Sequence, residues 1–208
     1  MRVKVCGITR AEDAVAAEAA GADAIGLVFA PSRRRVDERA AREVIASLGP
    51  FVTVVGVFRD QPLNEVIRLV TDLGLDVAQL HGEEDAAYAA AVALHARVVR
   101  AVAFERAPRP DSLDGYPAHG LMLDAAVPGS GTSFAWDEAQ AWRGHPGLIL
   151  AGGLTPGNVQ EAIRALAPSA VDVSTGVENA PGEKDHDLVR AFVRAAHAGG
   201  SSVVRSAD

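Results

Sequence analysis

Eight apolar, β-branched segments of strand length alternate with alanine-rich segments of helical period along the 208 residues, and this alternation predicts an α/β protein. The spacing narrows the class to a single-domain (β/α)8 TIM barrel, because about 26 residues per unit suits compact strand–helix repeats and is tight for two domains. The first predicted helix is not opened by a Gly-x-Gly-x-x-Gly run, which weighs against an open doubly wound sheet.

In order along the chain, the first strand is expected at 3–6, ending on Cys6, and is followed by an Ala-rich helix at 11–20. Strand 24–29 leads to helix 37–48, where Asp37 stands as the capping carboxylate. Strand 52–58 leads to helix 62–73, with Pro62 in the first turn, where its missing N–H has no helical partner to lose. Strand 77–80 precedes helix 84–95, and strand 98–103 precedes a weakly helical crossover around 108–115. Strand 121–124 leads to helix 134–142, strand 148–151 to helix 156–166 with Pro156 in its first turn, and strand 171–174 to helix 185–198, capped by Asp185. The catalytic domain is therefore expected at 1–198, with 199–208 a flexible C-terminal tail.

Composition excludes several classes of function. The net charge of −7 has no compensating basic cluster beyond Arg33-Arg34-Arg35, so the footprint of a nucleic-acid or anionic-membrane partner is missing and an anionic ligand must be held locally. One cysteine forms no internal disulfide, no apolar signal segment opens the chain, and the apolar stretch 51–58 is too short to span a bilayer; the expected setting is cytoplasmic. Six histidines and one cysteine show no ligand spacing, so no metal is expected. Monomer and homodimer are left open.

A (β/α)8 barrel builds its active site at the carboxyl ends of its strands. Those ends contribute Cys6, Arg34, His81, Asp124, the pair Gly152-Gly153 and the run Ser174-Thr175-Gly176. Each has a plainer use: a free cysteine packs as a small hydrophobe, an aspartate after a strand caps a turn, paired glycines turn the chain, and an arginine triplet is a solvated loop. Their convergence on one rim is what points to chemistry. The loops after the seventh and eighth strands are where barrel enzymes cradle a phosphate with backbone N–H groups, and glycine lets the backbone come close. A phosphorylated small molecule is the expected ligand.

Seven ordered motifs then carry a resemblance that spans nearly the whole chain. Lys4-Val5-Cys6-Gly7-Ile8-Thr9, Gly21 to Gly26, Val55 to Phe58, Gln79-Leu80-His81-Gly82, Leu123-Asp124, Ala151 to Leu154 and Val171 to Glu178 resemble the phosphoribosylanthranilate isomerase family. The resemblance implies an Amadori rearrangement of N-(5-phosphoribosyl)anthranilate in tryptophan biosynthesis. It makes Cys6 the general base and Asp124 the general acid, gives Arg34 the anthranilate carboxylate, and sets His81 on the rim near the substrate. The three adjacent arginines permit a one-residue slip in the Arg34 assignment. Thr175 stands where the family leads one to expect a second serine, and Gly129-Ser130-Gly131 replaces a more usual Gly-Gly-x-Gly.

The reaction needs one acid and one base and no cofactor, since no electrons leave the substrate, and each group contributes roughly 10²–10⁴ in rate. The acid must start protonated, which burial and the bound anions favour; the base must become a thiolate. Lys4 and Cys6 share one face of the first strand, as Asp172 and Ser174 do on the eighth, so Lys4 and Asp172 are expected to meet inside the barrel, with Gln79 and Arg100 beside them. A sister sugar-phosphate isomerase of histidine biosynthesis would carry an aspartate in place of Cys6. Indole-glycerol-phosphate synthase would need a lysine acid and a carboxylate base at strand ends that lack them. A non-catalytic phosphometabolite-binding barrel would have no use for Cys6 and Asp124 together.

Overall fold

The structure, a computed structural model, describes residues 1–107, 109–125 and 135–205. Its eight parallel strands are β1 (Arg2–Cys6), β2 (Ala24–Val28), β3 (Thr53–Phe58), β4 (Val77–Leu80), β5 (Arg97–Ala103), β6 (Gly120–Asp124), β7 (Leu148–Leu150) and β8 (Ala170–Val173). They pair in chain order and β8 closes on β1, with Lys4 opposite Asp172 and Val3 opposite Val171. Around them lie α1 (Ala11–Ala19), α2 (Glu38–Ala46), α3 (Leu63–Leu73), α4 (Ala86–Val92), α5 (Val159–Leu166) and α6 (His186–Arg205).

Strand parity sorts the side chains into two layers. Val3, Val5, Ile25, Leu27, Val54, Phe58, Leu80, Leu123, Leu150 and Val171 point outward into one continuous core with Ala14, Ala17, Val66, Leu69, Ile163, Leu166 and Phe192 of the helices. The inward residues form two small apolar clusters, one of Cys6, Val28, Ala30 and Val57 and one of Ala101, Met122 and Ala151. Helix entries follow local chemistry: the Asp37 carboxylate accepts from the Ala40 N–H at 2.8 Å, Asp85 from Tyr88 at 2.7 Å, and Asp185 from Asp187 and Leu188 at 2.9 and 3.0 Å.

Four local expectations are corrected. Residues 136–142 form a kinked 3-10 segment (Trp136–Trp142) rather than an α-helix, and a 3-10 turn at Pro110–Leu113 fills the fifth crossover. Helix α5 starts at Val159 and not at 156, because Asn158 folds back, accepting from the Thr155 N–H at 2.8 Å and donating to the Gly153 carbonyl at 2.9 Å. Residues 178–184 carry an unforeseen antiparallel pair, β9 (Glu178–Ala180) and β10 (Glu183–Lys184). Helix α6 runs on to Arg205, past the boundary at 198: Gly199 lies so close to α5 that an added Cβ would sit 3.1 Å from Ile163, and Gly200 abuts Met1 in the same way. Residues 206–208 of the expected tail, and the Gly129-Ser130-Gly131 departure, lie outside the described residues.

Candidate active site

β1 carries Lys4 and Cys6 inward. The Lys4 ammonium donates to Asp172 Oδ1 at 2.9 Å, so the expected pair across the closure forms, with side-chain exposures of 8% and 9%. Gly26 of β2 makes room beside them, since an added Cβ would stand 2.8 Å from Cys6 Sγ and 3.1 Å from Lys4 Nζ. Burial pushes the Cys6 thiol up; the Lys4 ammonium, which also hydrogen-bonds it, pulls the other way, and so does Lys184. Burial by itself would lower Lys4, but Asp172 and then Cys6 outweigh it and hold the ammonium above its ordinary value. Arg100 does not join this pair. Its register partners Leu80 and Leu121 belong to the outward face, so Arg100 points away from the barrel interior, where its guanidinium donates to Glu84 at 2.8 Å and stacks over the Tyr116 ring at 5.3 Å.

β6 ends on Asp124, which is 6% exposed. Burial raises its carboxyl to about 6, against an opposing hydrogen bond from the Ala125 N–H to Oδ1 at 2.7 Å and the nearby Lys4 charge. His81, at the end of β4, sets Nε2 3.5 Å from Asp124 Oδ2. No hydrogen bond joins them, and Nε2 is buried without a partner among the described residues. Burial, with Lys4, Arg59 and Arg100 adding to it, lowers His81 to about 4, so the ring is neutral.

Arg34 is the arginine of the triplet that turns inward, half-buried between exposed Arg33 and Arg35. Its Nε and Nη2 grip Glu178 at 2.8 and 2.7 Å, and Nη2 also donates to Thr175 Oγ1 at 3.1 Å. Glu178 is shared with buried Lys184, whose Nζ donates to Oε1 at 2.7 Å and to the Ser174 carbonyl at 3.2 Å. Burial would raise Glu178, but Arg34 and Lys184 outweigh it and hold the carboxylate low.

The loops after β7 and β8 interlock. Gly152 and Gly153 both take positive φ, +85° and +61°, and a Cβ on Gly152 would come within 2.7 Å of the Ala125 nitrogen. A Cβ on Gly176 would collide with the Leu154 carbonyl oxygen, so only glycine lets the eighth loop lie against the seventh.

Cys6, Arg34, His81, Asp124, Asp172 and Ser174 all line one cavity of about 160 Å³ at the carboxyl end of the barrel. Gly152, Gly153, Thr175 and Gly176 lie outside that lining, on the adjoining loops. A second cavity, about 250 Å³, opens at the amino end and contains none of the strand-end candidates. The sequence reading missed three groups. Arg59, directly after β3, lines the cavity and was legible as a strand-end cation. Glu178 and Lys184 were not assigned; the one available signal is that Lys4 and Lys184 are the only lysines of an arginine-rich chain, and both are buried beside the thiol. Among the described residues no group of three or more His, Cys, Asp or Glu is placed to hold a metal ion.

A closed parallel barrel whose carboxyl-end mouth gathers a buried thiol, a buried carboxyl of raised pKa and a clamped arginine defines a (β/α)8-barrel enzyme. Residues 3–195 match the family model described as N-(5'phosphoribosyl)anthranilate (PRA) isomerase. A relative of that name from Geobacter sp. (strain M21) is 46% identical over 197 residues, 92% of this chain and 96% of its own. The crystal structure of phosphoribosyl anthranilate isomerase from Thermus thermophilus superposes with a TM-score of 0.88 at 47% identity, covering 95% of this chain and 99% of that one. Another solved isomerase, in complex with reduced 1-(o-carboxyphenylamino)-1-deoxyribulose 5-phosphate, matches with a TM-score of 0.80 at 36% identity over 95% of this chain and 99% of its own. The chain belongs to the N-(5'-phosphoribosyl)anthranilate isomerase family, isomerases of tryptophan biosynthesis that catalyse an Amadori rearrangement.

Proposed function

We propose that this chain isomerises N-(5-phosphoribosyl)anthranilate to 1-(2-carboxyphenylamino)-1-deoxyribulose 5-phosphate with Cys6 as general base and Asp124 as general acid. The observation that carries this reading is that the two side chains line the same small cavity although 118 positions separate them along the chain. Asp124, raised to about 6, retains part of its proton near neutrality and gives it to the furanose ring oxygen as the C1–O bond breaks and the aniline nitrogen forms an iminium. The Cys6 thiolate then removes the proton on the adjacent sugar carbon, and its electron pair neutralises the iminium to an enolamine, which tautomerises to the ketose. Lys4 steadies that thiolate, offsetting the burial that opposes it.

Substrate binding divides between two sides of the cavity. The Arg34 Nη1, which neither Glu178 nor Thr175 engages, takes the anthranilate carboxylate. The phosphate rests on the glycine-rich loops at 152–153 and 174–176, whose backbones interlock without side chains between them. A homodimer and a cytoplasmic setting belong to the same reading; the solved Thermotoga maritima relative is described as dimeric, and sedimentation of this chain as a 21.6 kDa species would remove that part. Turnover of fluorescent phosphoribosylanthranilate tests the chemistry: Cys6→Ala and Asp124→Asn should each lose on the order of 10²–10⁴ in kcat. Full activity in either variant would overturn that residue's role.

A further inference from the structure

Gln79 is two residues before His81 on β4, so both side chains point into the barrel. Gln79 is 2% exposed, and its amide nitrogen lies 3.3 Å from His81 Nδ1, while its Oε1 has no partner among the described residues. With the amide turned this way its N–H donates to Nδ1, an arrangement that matches a neutral ring whose proton is on Nε2. Nε2 faces Asp124 Oδ2 at 3.5 Å and is otherwise unbonded. In that tautomer neither ring nitrogen has an available lone pair: one is engaged by Gln79 and the other carries hydrogen.

The opposite tautomer would behave differently. With hydrogen on Nδ1, the Nε2 lone pair would face Oδ2, accept a hydrogen bond from the protonated carboxyl and hold the acid's proton away from the ring oxygen it must reach. The charged groups that bear on His81 are Lys4 from β1, Arg59 after β3, Arg100 from the outer face of β5 and, at 3.5 Å, Asp124 from β6. Three of these four are cations that discourage a further positive charge, yet a cation alone does not choose between the two neutral tautomers. Gln79 does.

We infer that Gln79 is a positioning residue that holds His81 as the neutral Nε2–H tautomer, so that the ring borders the catalytic carboxyl without being able to take its proton. The functional half of this inference rests on Asp124 being the acid. The resting enzyme, labelled with ¹⁵N-histidine, tests the first half by NMR: His81 should show the Nε2–H pattern and no titration between pH 5 and 8. An Nδ1–H pattern, or titration at an ordinary histidine pKa, would overturn it. Gln79→Glu tests the second half, because a carboxylate there accepts from Nδ1–H and favours the imidazolium. His81 should then charge near neutral pH, and kcat should fall on the order of 10²-fold with KM little changed, as expected for loss of a general acid.

Gln79→Met, which keeps the length but donates nothing, is the control for a buried charge that disturbs folding. Its NMR spectrum should show both tautomers, and its kcat should fall at every pH with KM little changed. A Met variant with the parental tautomer and kcat would overturn the role of Gln79. Full turnover by Asp124→Asn with the Nε2–H tautomer intact would instead overturn the acid assignment, and with it the catalytic purpose of Gln79, and the spectrum tells the two failures apart.

Discussion

Replacing Asp124 by Asn should stabilise the protein at neutral pH while removing its activity. In the folded chain, burial raises the Asp124 carboxyl from 3.8 to about 6, and the hydrogen bond it accepts from Ala125 does not offset that. A group with a raised folded pKa contributes its full stability below the unfolded value and loses it as pH climbs through the folded one. The window is therefore pH 3.8 to about 6, and the loss across it is about 3 kcal/mol, from a shift of roughly two pH units at 1.36 kcal/mol each. Asparagine keeps an acceptor for the Ala125 N–H and never ionises. The difference between variant and parent, from urea denaturation at fixed temperature, should be near zero at pH 4 and approach about 3 kcal/mol by pH 7. Other carboxylates titrate in both proteins and cancel in the difference. A difference that stays flat with pH would refute the claim that Asp124 is held protonated by burial, whatever the variant's turnover.

Removing Lys4 should be costly because it strands a buried carboxylate: Lys4→Met is expected to lose about 3–5 kcal/mol in denaturant titrations, and adding Asp172→Leu should recover most of it. In activity assays the same Lys4→Met change should move the alkaline limb of kcat/KM to higher pH, since the thiolate loses its nearest cation. Glu178→Gln removes the carboxylate that Arg34 grips with two nitrogens, so KM should rise by about tenfold, near the worth of one charge-assisted bond, with kcat less affected. Gly176→Ala drives a methyl group into the Leu154 carbonyl and should part the two loops; a KM increase on the order of 10–100-fold is expected, matched by weaker inhibition by inorganic phosphate, and an unchanged KM would dissociate these loops from phosphate binding.

The eight strands were legible because each is an apolar run with its own period; their number, the short repeat and the missing Gly-x-Gly-x-x-Gly favoured closure over an open sheet, and the pairing of β8 with β1 decides it. The Lys4–Asp172 pair was legible for a related reason: parity fixes the face, and closure makes the first and last strands neighbours. Helix ends were less so. The Pro156-Gly157-Asn158 run reads as a helix start, but Asn158 spends its side chain on the loop backbone and delays the helix to Val159. Gly199-Gly200 reads as a breaker, yet small residues also allow the close packing of α6 on α5 and on Met1.

By itself the sequence determined the barrel, the identity of the strand-end residues and their facing, because these depend on period and order within the chain. Only the folded structure decided what each polar group touches. It turned Arg100 away from Lys4 to Glu84, tied Arg34 to Glu178 with Lys184 beneath it, and set the Gln79 amide against His81. Those choices depend on distances of about 3 Å between groups far apart in the chain, in a setting where burial strengthens every charge–charge contact. No local pattern encodes that combination.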